Sequence, residues 1–332
     1  MNERSSGGAR QLLRAKVSLG KVHAILVTHM HPDHSLGVVP LLRSMSVAGR
    51  TRHLYLTGPT GIRQLVESTL AWTSSKLHFE VVFRELDCHE PHHSDIVAFS
   101  GSSVTVTAHL LQHRVPSFGF VFLTSAVVRL DRERAVALGV QPGPALGRLQ
   151  RGLDETLPDG RVVRSADVTV MRTPAQKVVV LGDTCDSSNI LESARDCDLL
   201  VHEATFDASR HDLALKRQHS TSAMAGEFAR AIGAKRLVLT HFSCRYFDLR
   251  LLESQQEHLQ AGEDSVAHDQ SSADASCRSS SDEPSTASAT GGGPRISVQT
   301  LVQEAFERCL VPTEAAMDLV AIDVTAAPSP QQ

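Results

Sequence analysis

The chain has 332 residues, a formal net charge of -4 at pH 7 and a pI near 6.5, which excludes a generally basic protein that coats nucleic acid. Aromatic residues make up only 4% of the chain, too few for a platform on which bases stack. The six cysteines form no CxxC pair and no regular framework, which favours a reducing compartment over a secreted disulfide scaffold.

The first part of the chain alternates between short apolar runs and helical patterns. The apolar runs predict strands at Val22–Val27, His53–Leu56 and Ser103–Ala108, and helical spacing predicts helices at Leu36–Met45 and Ile62–Leu70. No apolar run is long enough to span a bilayer, so we expect no membrane partner. Strands that alternate with helices indicate an α/β layered domain.

The same pattern continues further along the chain. Lys177–Leu181, Leu199–His202 and Arg236–Thr240 are predicted strands, and Ser222–Ile232 has the spacing of a helix. The strands run into polar residues that could bind metal, and functional groups at strand ends are typical of α/β domains.

The composition changes between Ser254 and Pro294, where serine, glycine and alanine dominate and almost nothing apolar could be buried. We predict a disordered linker there. A helix at Val298–Leu310 and a strand at Met317–Val324 follow, too little to fold alone, so they should close the first domain. The predicted divisions are 1–252 for the main domain, 253–296 for the linker, 297–326 for the closing helix and strand, and 327–332 for a tail.

The segment VTHMHPDHSLG places three histidines and an aspartate directly after the first predicted strand. In an extended chain alternate residues share a face, so His29 and His31 can point at one ion. Beyond the strand the backbone can turn, and Asp33 and His34 can aim at a second ion. Imidazole and carboxylate are both good zinc ligands. The alternative is a polar loop with surface histidines.

Three later polar residues also follow predicted strands or apolar runs. They are His113 in LLQHRVPSFGF, Asp183 in VVVLGDTCD and His241 in LVLTHFSCRY. Each of them alone is weak support, because a single histidine at a strand end is more often structural. With the first cluster they provide seven donors, enough for two zinc ions per subunit.

The donors divide into two predicted sets that share one aspartate. A separate histidine cluster at His89, His92 and His93 lies in a polar loop, and we interpret it as solvated. The ligand sets are His29, His31 and His113 for one ion, Asp33, His34 and His241 for the other, and Asp183 as the bridge between them.

These motifs and their order resemble the metallo-β-lactamase superfamily and, within it, the short form of the tRNase Z (ribonuclease Z) family. The matching segments run from about Gln11 to Tyr246, and the end of the chain from Val298 to Asp323 fits the family's last helix and strand. The resemblance implies an α/β fold, the metallo-β-lactamase αββα sandwich, with a flexible arm inserted at about 138–170. The segments are THMHPDHSLGVVPLL, YLTGPTGI, HRVPSFGF, LGVQPGPALGRLQRG, LGDT, LLVHEATFD, HSTSAMAGEFA and LVLTHFSCRY.

The implied function is a zinc-dependent endoribonuclease that removes the 3′ trailer from precursor tRNA and leaves a 3′-hydroxyl on the tRNA, by two-metal hydroxide attack. The resemblance makes Asp33 the general base and places His219, paired with Glu203, beside the leaving group. The alternative for His219 is a purely structural role, in which its side chain caps the start of the helix predicted at Ser222–Ile232. The functional alternatives are another hydrolase of this fold, acting on small phosphodiesters or thioesters, and an inactive tRNA-binding paralogue.

The segment LGVQPGPALGRLQRGLDETLPDGRVV is punctuated by glycine and proline and carries scattered arginines, so we predict a long loop without a compact core. By resemblance, Gly143, Pro144 and residues 147–152 belong to the flexible arm, where Arg148 and Arg151 would contact tRNA phosphates. The predicted substrate-binding residues beside His113 are Pro116, Ser117 and Phe118.

The resemblance has one departure and two further implications. Family members begin with glycine-rich strands and an Asp-Cys-Gly-Glu-Gly-Thr-like turn, whereas SSGGA stands at that place here, so we expect these N-terminal strands to be missing.

Family members of this length are homodimers, and we expect a homodimer with precursor tRNA as its partner. The expected compartment is the cytoplasm or nucleus, with an organelle as the alternative.

Overall fold

The computed structural model describes residue 12 and residues 14–88, 96–246 and 296–316. The α-helices are α1 Pro32–Ser35, α2 Val38–Val47, α3 Ile62–Trp72, α4 Arg132–Ala137, α5 Pro144–Gln150, α6 Ser165–Val168, α7 Leu191–Ala194, α8 His211–Arg217, α9 Ser222–Ala231 and α10 Val298–Cys309. The strands are β1 Ala24–Leu26, β2 Leu54–Pro59, β3 Val81–Leu86, β4 Ile96–Ser100, β5 Val104–Leu111, β6 Ser117–Thr124, β7 Val127–Leu130, β8 Glu155–Thr156, β9 Val162–Val163, β10 Thr169–Thr173, β11 Lys177–Val180, β12 Leu199–Glu203, β13 Leu237–Thr240 and β14 Thr313–Ala315.

Two main sheets organise the fold. The smaller one has three parallel strands in the order β1-β2-β3, and the larger has seven strands in the order β14-β13-β12-β11-β6-β5-β4. Strands β11 to β14 are parallel, whereas β4, β5 and β6 alternate in direction. Since β5 and β11 are each antiparallel to β6, the carboxyl ends of β5, β11, β12 and β13 meet at one edge of the large sheet.

The two sheets pack face to face with helices on both outer faces. Leu86 of the small sheet is buried with Val106, Phe118 and Phe120 of the large one. Helices α2 and α3 cover the outside of the small sheet, and α9 and α10 cover the outside of the large sheet. The architecture is the predicted α/β sandwich of four layers, αββα, and that prediction is confirmed.

Most predicted elements are present with shifted ends. The predicted helix at 36–45 begins at Val38, because Pro32 starts a separate short helix before it. The last strand of the described ranges is β14. The strand predicted at 317–324 lies outside these ranges, and so do residues 253–295 of the predicted linker. His89, His92 and His93 also lie outside them. No helix within those ranges combines the length and the apolar character needed to cross a bilayer.

The prediction of a long loop without a compact core at 138–163 is wrong. Antiparallel strands β7 and β10 form the base of this arm, and Leu149 of α5 is completely buried within it. The glycines and prolines end or start elements here, with Pro144 in the first turn of α5 and Gly160 in a turn at a φ of +85°. The buried residues of the arm are Leu130, Ala135, Val140, Leu149, Leu157, Val163 and Val168.

Candidate metal centre

The ends of strands from both sheets deliver the predicted ligands to one place. His29 and His31 follow β1. His31 occupies the N-cap position of α1, and Asp33 and His34 lie in this short helix. His113, Asp183 and His241 follow β5, β11 and β13, the strands whose carboxyl ends share one edge of the large sheet. All seven predicted ligands therefore converge.

The first ligand set is closely packed. His29 Nε2 lies 3.1 Å from His31 Nδ1, and His113 Nε2 lies 3.4 Å from the same nitrogen. Asp183 Oδ2 is 3.6 Å from His29 Nε2. Three nitrogens and one carboxylate oxygen thus face a common point.

The second set lies beside the first and shares Asp183. His34 Nε2 is 3.5 Å from Asp33 Oδ2 and 3.6 Å from Asp183 Oδ2. His241 Nε2 is 3.2 Å from Asp183 Oδ2 and 3.9 Å from Asp33 Oδ2. Asp183 Oδ2 therefore neighbours donors of both sets, the place that a bridging carboxylate requires.

The spacing and the electrostatics fit bound cations. Donors about 2.0–2.1 Å from zinc at tetrahedral angles lie about 3.3–3.4 Å apart, close to the observed separations. Burial lowers the pKa of His29 to about 2 and that of His34 to about 4, so both are neutral and able to ligate. Burial, and then the charge of Glu203, raises the pKa of Asp183 to about 8. A buried carboxylate in this position is stabilised in its charged form by a cation.

Three of the ligand histidines are held by their other ring nitrogen. His29 Nδ1 lies 3.1 Å from the Thr28 hydroxyl, and His113 Nδ1 donates to the carbonyl oxygen of Gln218 at 2.6 Å. The His241 Nδ1 lies 2.8 Å from the Thr205 hydroxyl. These contacts fix the ring orientation and leave Nε2 to face the centre. None of these partners was predicted from the sequence, although Thr205 lies in the family-like segment LLVHEATFD.

The predicted pair of His219 and Glu203 is present. His219 Nδ1 donates to Glu203 Oε1 at 3.0 Å, and the same oxygen accepts the backbone N–H of Thr184 at 2.8 Å. Burial would raise the pKa of Glu203, but hydrogen bonds from His219 and Thr205 outweigh it and lower that pKa. Burial would lower the pKa of His219, but the bond to Glu203 and the nearby Asp183 outweigh it and raise that pKa. The geometry favours a charged pair beside the ligands.

The predicted substrate-binding residues beside His113 differ in exposure. Pro116 is exposed, whereas Ser117 and Phe118 are both 0% exposed at the start of β6. Direct substrate contact by the last two side chains, as predicted, does not agree with this burial. They pack beneath the site, where Phe118 belongs to the core between the sheets.

In the arm, the four predicted residues lie on or beside α5. Gly143 precedes the helix with a φ of +146°, and Pro144 occupies its first turn. Arg148 forms two hydrogen bonds with Glu155, at 2.8 and 2.7 Å, whereas Arg151 is exposed at the end of the helix. The guanidinium of Arg148 is therefore engaged within the arm.

Comparisons with known proteins agree with this geometry. A Beta-lactamase superfamily domain matches residues 6–141. Ribonuclease BN of Cronobacter sakazakii is 40% identical over 245 residues, which cover 72% of this chain and 77% of that protein. Ribonuclease Z of Acaryochloris marina is 36% identical over 241 residues, with 72% and 74% covered. The crystal structure of human tRNase Z, short form, matches with a TM-score of 0.53 at 27% identity, covering 73% of this chain and 80% of that one.

The αββα sandwich and the donors at its strand ends define a protein of the metallo-β-lactamase superfamily. Two relatives at 36% and 40% identity, matched over about three quarters of their lengths, narrow this class further. The chain belongs to the ribonuclease Z (tRNase Z) family, and the resemblance noted from its motifs is confirmed.

Proposed function

We propose that the chain is a zinc-dependent enzyme that removes the 3′ trailer from precursor tRNA and leaves a 3′-hydroxyl on the tRNA. Its enzyme class follows from the family: it is a tRNase Z-type endoribonuclease. The observation that carries the proposal is the convergence of the predicted donors around Asp183. We also propose that it acts as a homodimer, in the cytoplasm or nucleus or in an organelle.

Two zinc ions would be held by the two donor sets. His29, His31 and His113 would hold one ion, and Asp33, His34 and His241 the other, with Asp183 between them. Zinc supplies Lewis acidity, which withdraws negative charge from a phosphodiester and makes nearby water more acidic.

The reaction needs two proton transfers, one from the attacking water and one to the leaving oxygen, and different residues would carry them out. The side chain of Asp33 is 54% exposed, so it faces the solvent from which the attacking water comes. Its carboxylate can orient that water and accept its proton. The second transfer supplies a proton to the departing 3′ oxygen of the tRNA.

His219 is placed to supply that proton. Its side chain is 11% exposed, and its Nδ1 is bound to Glu203, so Nε2 is the nitrogen that can reach a substrate. A carboxylate partner fixes the tautomer and favours the protonated ring, which is the form that donates. Glu203 acts through His219 and, because it is 1% exposed, does not itself meet the RNA.

The test is to incubate the zinc-loaded chain with a 3′-extended precursor tRNA and to map the cut. We expect cleavage next to the discriminator base, abolished by Asp33→Ala. His219→Ala should lower turnover by about 100-fold or more while zinc content stays unchanged, since it removes a general acid but no proposed ligand. His211→Ala, which removes an exposed histidine, is the matched control.

Two results would contradict the proposal. Absence of cleavage with zinc bound would remove the assigned activity, and loss of zinc from His219→Ala would make that residue a ligand instead of an acid.

A further inference from the structure

Glu304, on the closing helix α10, contacts two separate segments of the site wall with one carboxylate oxygen. Its Oε2 accepts the hydroxyl proton of Ser222, which lies 82 residues earlier in the chain, and it accepts the backbone N–H of Ala208 at 3.0 Å. Ser222 is completely buried, whereas Glu304 is half-buried. One side chain thus joins α10 to the first residue of α9 and to the segment at Ala208.

Each of these segments carries a functional side chain three residues before the contact. Thr205, three residues before Ala208, contacts Glu203 and His241. His219, three residues before Ser222, contacts Glu203. The segments also pair directly, because the N–H of Ser222 donates to the carbonyl oxygen of Phe206 at 2.9 Å.

The helix that holds Glu304 is fixed against α9 by close packing. A Cβ added at Gly226 would lie 2.3 Å from the carbonyl oxygen of Ala305 and 2.9 Å from the Cβ of Arg308, so the helices approach at the limit of contact. Leu301 and Ala305 of α10 are both completely buried. Because α10 has so little freedom, the position of Glu304 is fixed by the core.

The charge of Glu304 also complements α9. That helix has no acidic residue in its first turn, where negative charge is favoured by the partial positive charge of the helix N-terminus. Glu304 supplies this charge from another element. A serine hydroxyl that donates to a carboxylate forms a charge-assisted hydrogen bond, which is stronger than a neutral one.

We infer that Glu304 is a positioning residue for the proton-donating side of the site: it holds the Thr205 and His219 segments in register, so that His219 meets the leaving group. Its hydrogen bonds go to Ser222 and Ala208, so its effect on the reaction would pass through the residues of these segments. The inference rests on the proposed function, because it assigns Glu304 a part in placing His219 for that reaction.

The test compares Glu304→Ala, Glu304→Gln and Ser222→Ala with the wild-type chain, all loaded with zinc. The control is Glu307→Ala, which removes an exposed carboxylate of the same helix that accepts from Gln303. Turnover is measured on 3′-extended precursor tRNA and on bis(p-nitrophenyl) phosphate, together with zinc content and Tm. The ring resonances of His219, identified by their loss in His219→Ala, report its surroundings without turnover.

Glu304→Ala should lower kcat on precursor tRNA by about 10-fold or more, because displacing a catalytic group by about 1 Å can cost as much as 100-fold. The loss on bis(p-nitrophenyl) phosphate should be smaller, because p-nitrophenolate leaves without needing a proton from His219. KM and zinc content should change less than twofold, and the His219 resonances should shift. Glu304→Gln should restore most of kcat, since its amide oxygen still accepts both hydrogen bonds. Glu307→Ala should match the wild type.

Three outcomes would overturn the inference. They are a kcat on precursor tRNA within twofold of wild type in folded Glu304→Ala, unchanged His219 resonances, and a loss of kcat that merely follows lost zinc. If Glu304→Ala does not fold, Ser222→Ala decides, because it removes only one donor, and a wild-type kcat and spectrum there would overturn the inference. A wild-type chain that binds zinc but cleaves no tRNA would remove the proposed function, while the resonances would still test the position of His219.

Discussion

The hydroxyl of Thr205 joins three functional groups of the site. It donates to Glu203, lies 2.8 Å from His241 Nδ1 and lies 3.4 Å from His219 Nδ1. A hydroxyl has one proton, so while it donates to Glu203 it must accept from the N–H of His241. That arrangement leaves His241 Nε2 unprotonated, which is the form that binds metal.

Replacing this hydroxyl should weaken metal binding. Thr205→Val keeps the shape of the side chain but removes one hydrogen-bond partner of His241 Nδ1 and of Glu203, and loss of such outer contacts typically costs about 10- to 100-fold in metal affinity. Zinc affinity measured by competition with a chelator should fall by that factor, and Thr205→Ser should retain it. Equal affinity in Thr205→Val and the wild type would show that the hydroxyl has no part in holding His241.

The donor residues that converge at the candidate metal centre were predictable from the sequence, and their hydrogen-bond partners were not. His29, His31, Asp33 and His34 form a compact motif whose donor types are evident in a single segment. The partner of His113 is a backbone carbonyl at Gln218, in a left-handed conformation with a φ of +56°. Any residue type has a carbonyl, so no side-chain pattern could reveal this contact.

Among the secondary-structure elements, the arm differs most from the prediction, because it contains short helices and strands around a small core. Glycine and proline were counted as signs of a loop, but several of them only mark the ends of short elements that bury Leu149 and Val168. The strands of the sandwich were easier to predict, because continuous apolar runs such as the three valines of β11 pair with neighbouring strands on both sides. A small core assembled from widely spaced apolar residues has no comparable periodic signal.

The ion pair within the arm leads to a prediction about tRNA binding. Glu155→Gln should release the guanidinium of Arg148 for a phosphate, tighten binding of precursor tRNA and increase the slope of log K against log salt by about 1. Asp159→Asn, which makes the same charge change beside Arg161 in the same arm, is the matched control. Affinity is measured with inactive Asp33→Ala across a salt series. A response equal to that of Asp159→Asn would mean that Arg148 does not reach the tRNA.

At the scale of the whole molecule, the metal centre joins the two sheets. His29, His31, Asp33 and His34 follow β1 of the small sheet, whereas His113, Asp183 and His241 follow strands of the large sheet. A cation bound by both sets links the halves of the sandwich. Ions that bind only the folded state also stabilise it by mass action.

The same groups determine how the metal-free protein responds to pH. His29 and His34 have folded-state pKa values of about 2 and about 4, below the ordinary 6.5, so the unfolded chain binds more protons below pH 6.5 and acidification destabilises the fold. Asp183 has a folded-state pKa of about 8, above the ordinary 3.8, so the folded chain holds an extra proton between these values. Its stabilising contribution is lost as pH rises towards 8.

We therefore expect the metal-free protein to be most stable near about pH 6.5 and to lose stability on both sides. Zinc should abolish the loss on the alkaline side, because it favours ionised Asp183 and neutral histidines. Urea unfolding between pH 5 and 8.5, with EDTA or with zinc, measures this difference. Without metal, Asp183→Asn should reduce the alkaline loss but not remove it, because the raised pKa of His219 also contributes to that loss. A metal-free wild type that gains stability from pH 6.5 to 8 would contradict the expectation.

The late return of α10 has a consequence for how the protein is made. Every proposed ligand lies between His29 and His241, whereas Glu304 and β14, one of the two strands that pair with β13, are encoded some sixty to seventy residues later. At about 5–20 residues per second, a ribosome needs several seconds to cover that interval. During that interval the nascent chain already contains all of the proposed metal donors. Helix α10 does not yet pack on the apolar face of α9, and Glu304 does not yet contact Ser222 beside the His219 segment. Metal binding can thus precede the docking of α10, which brings Glu304 to the His219 segment.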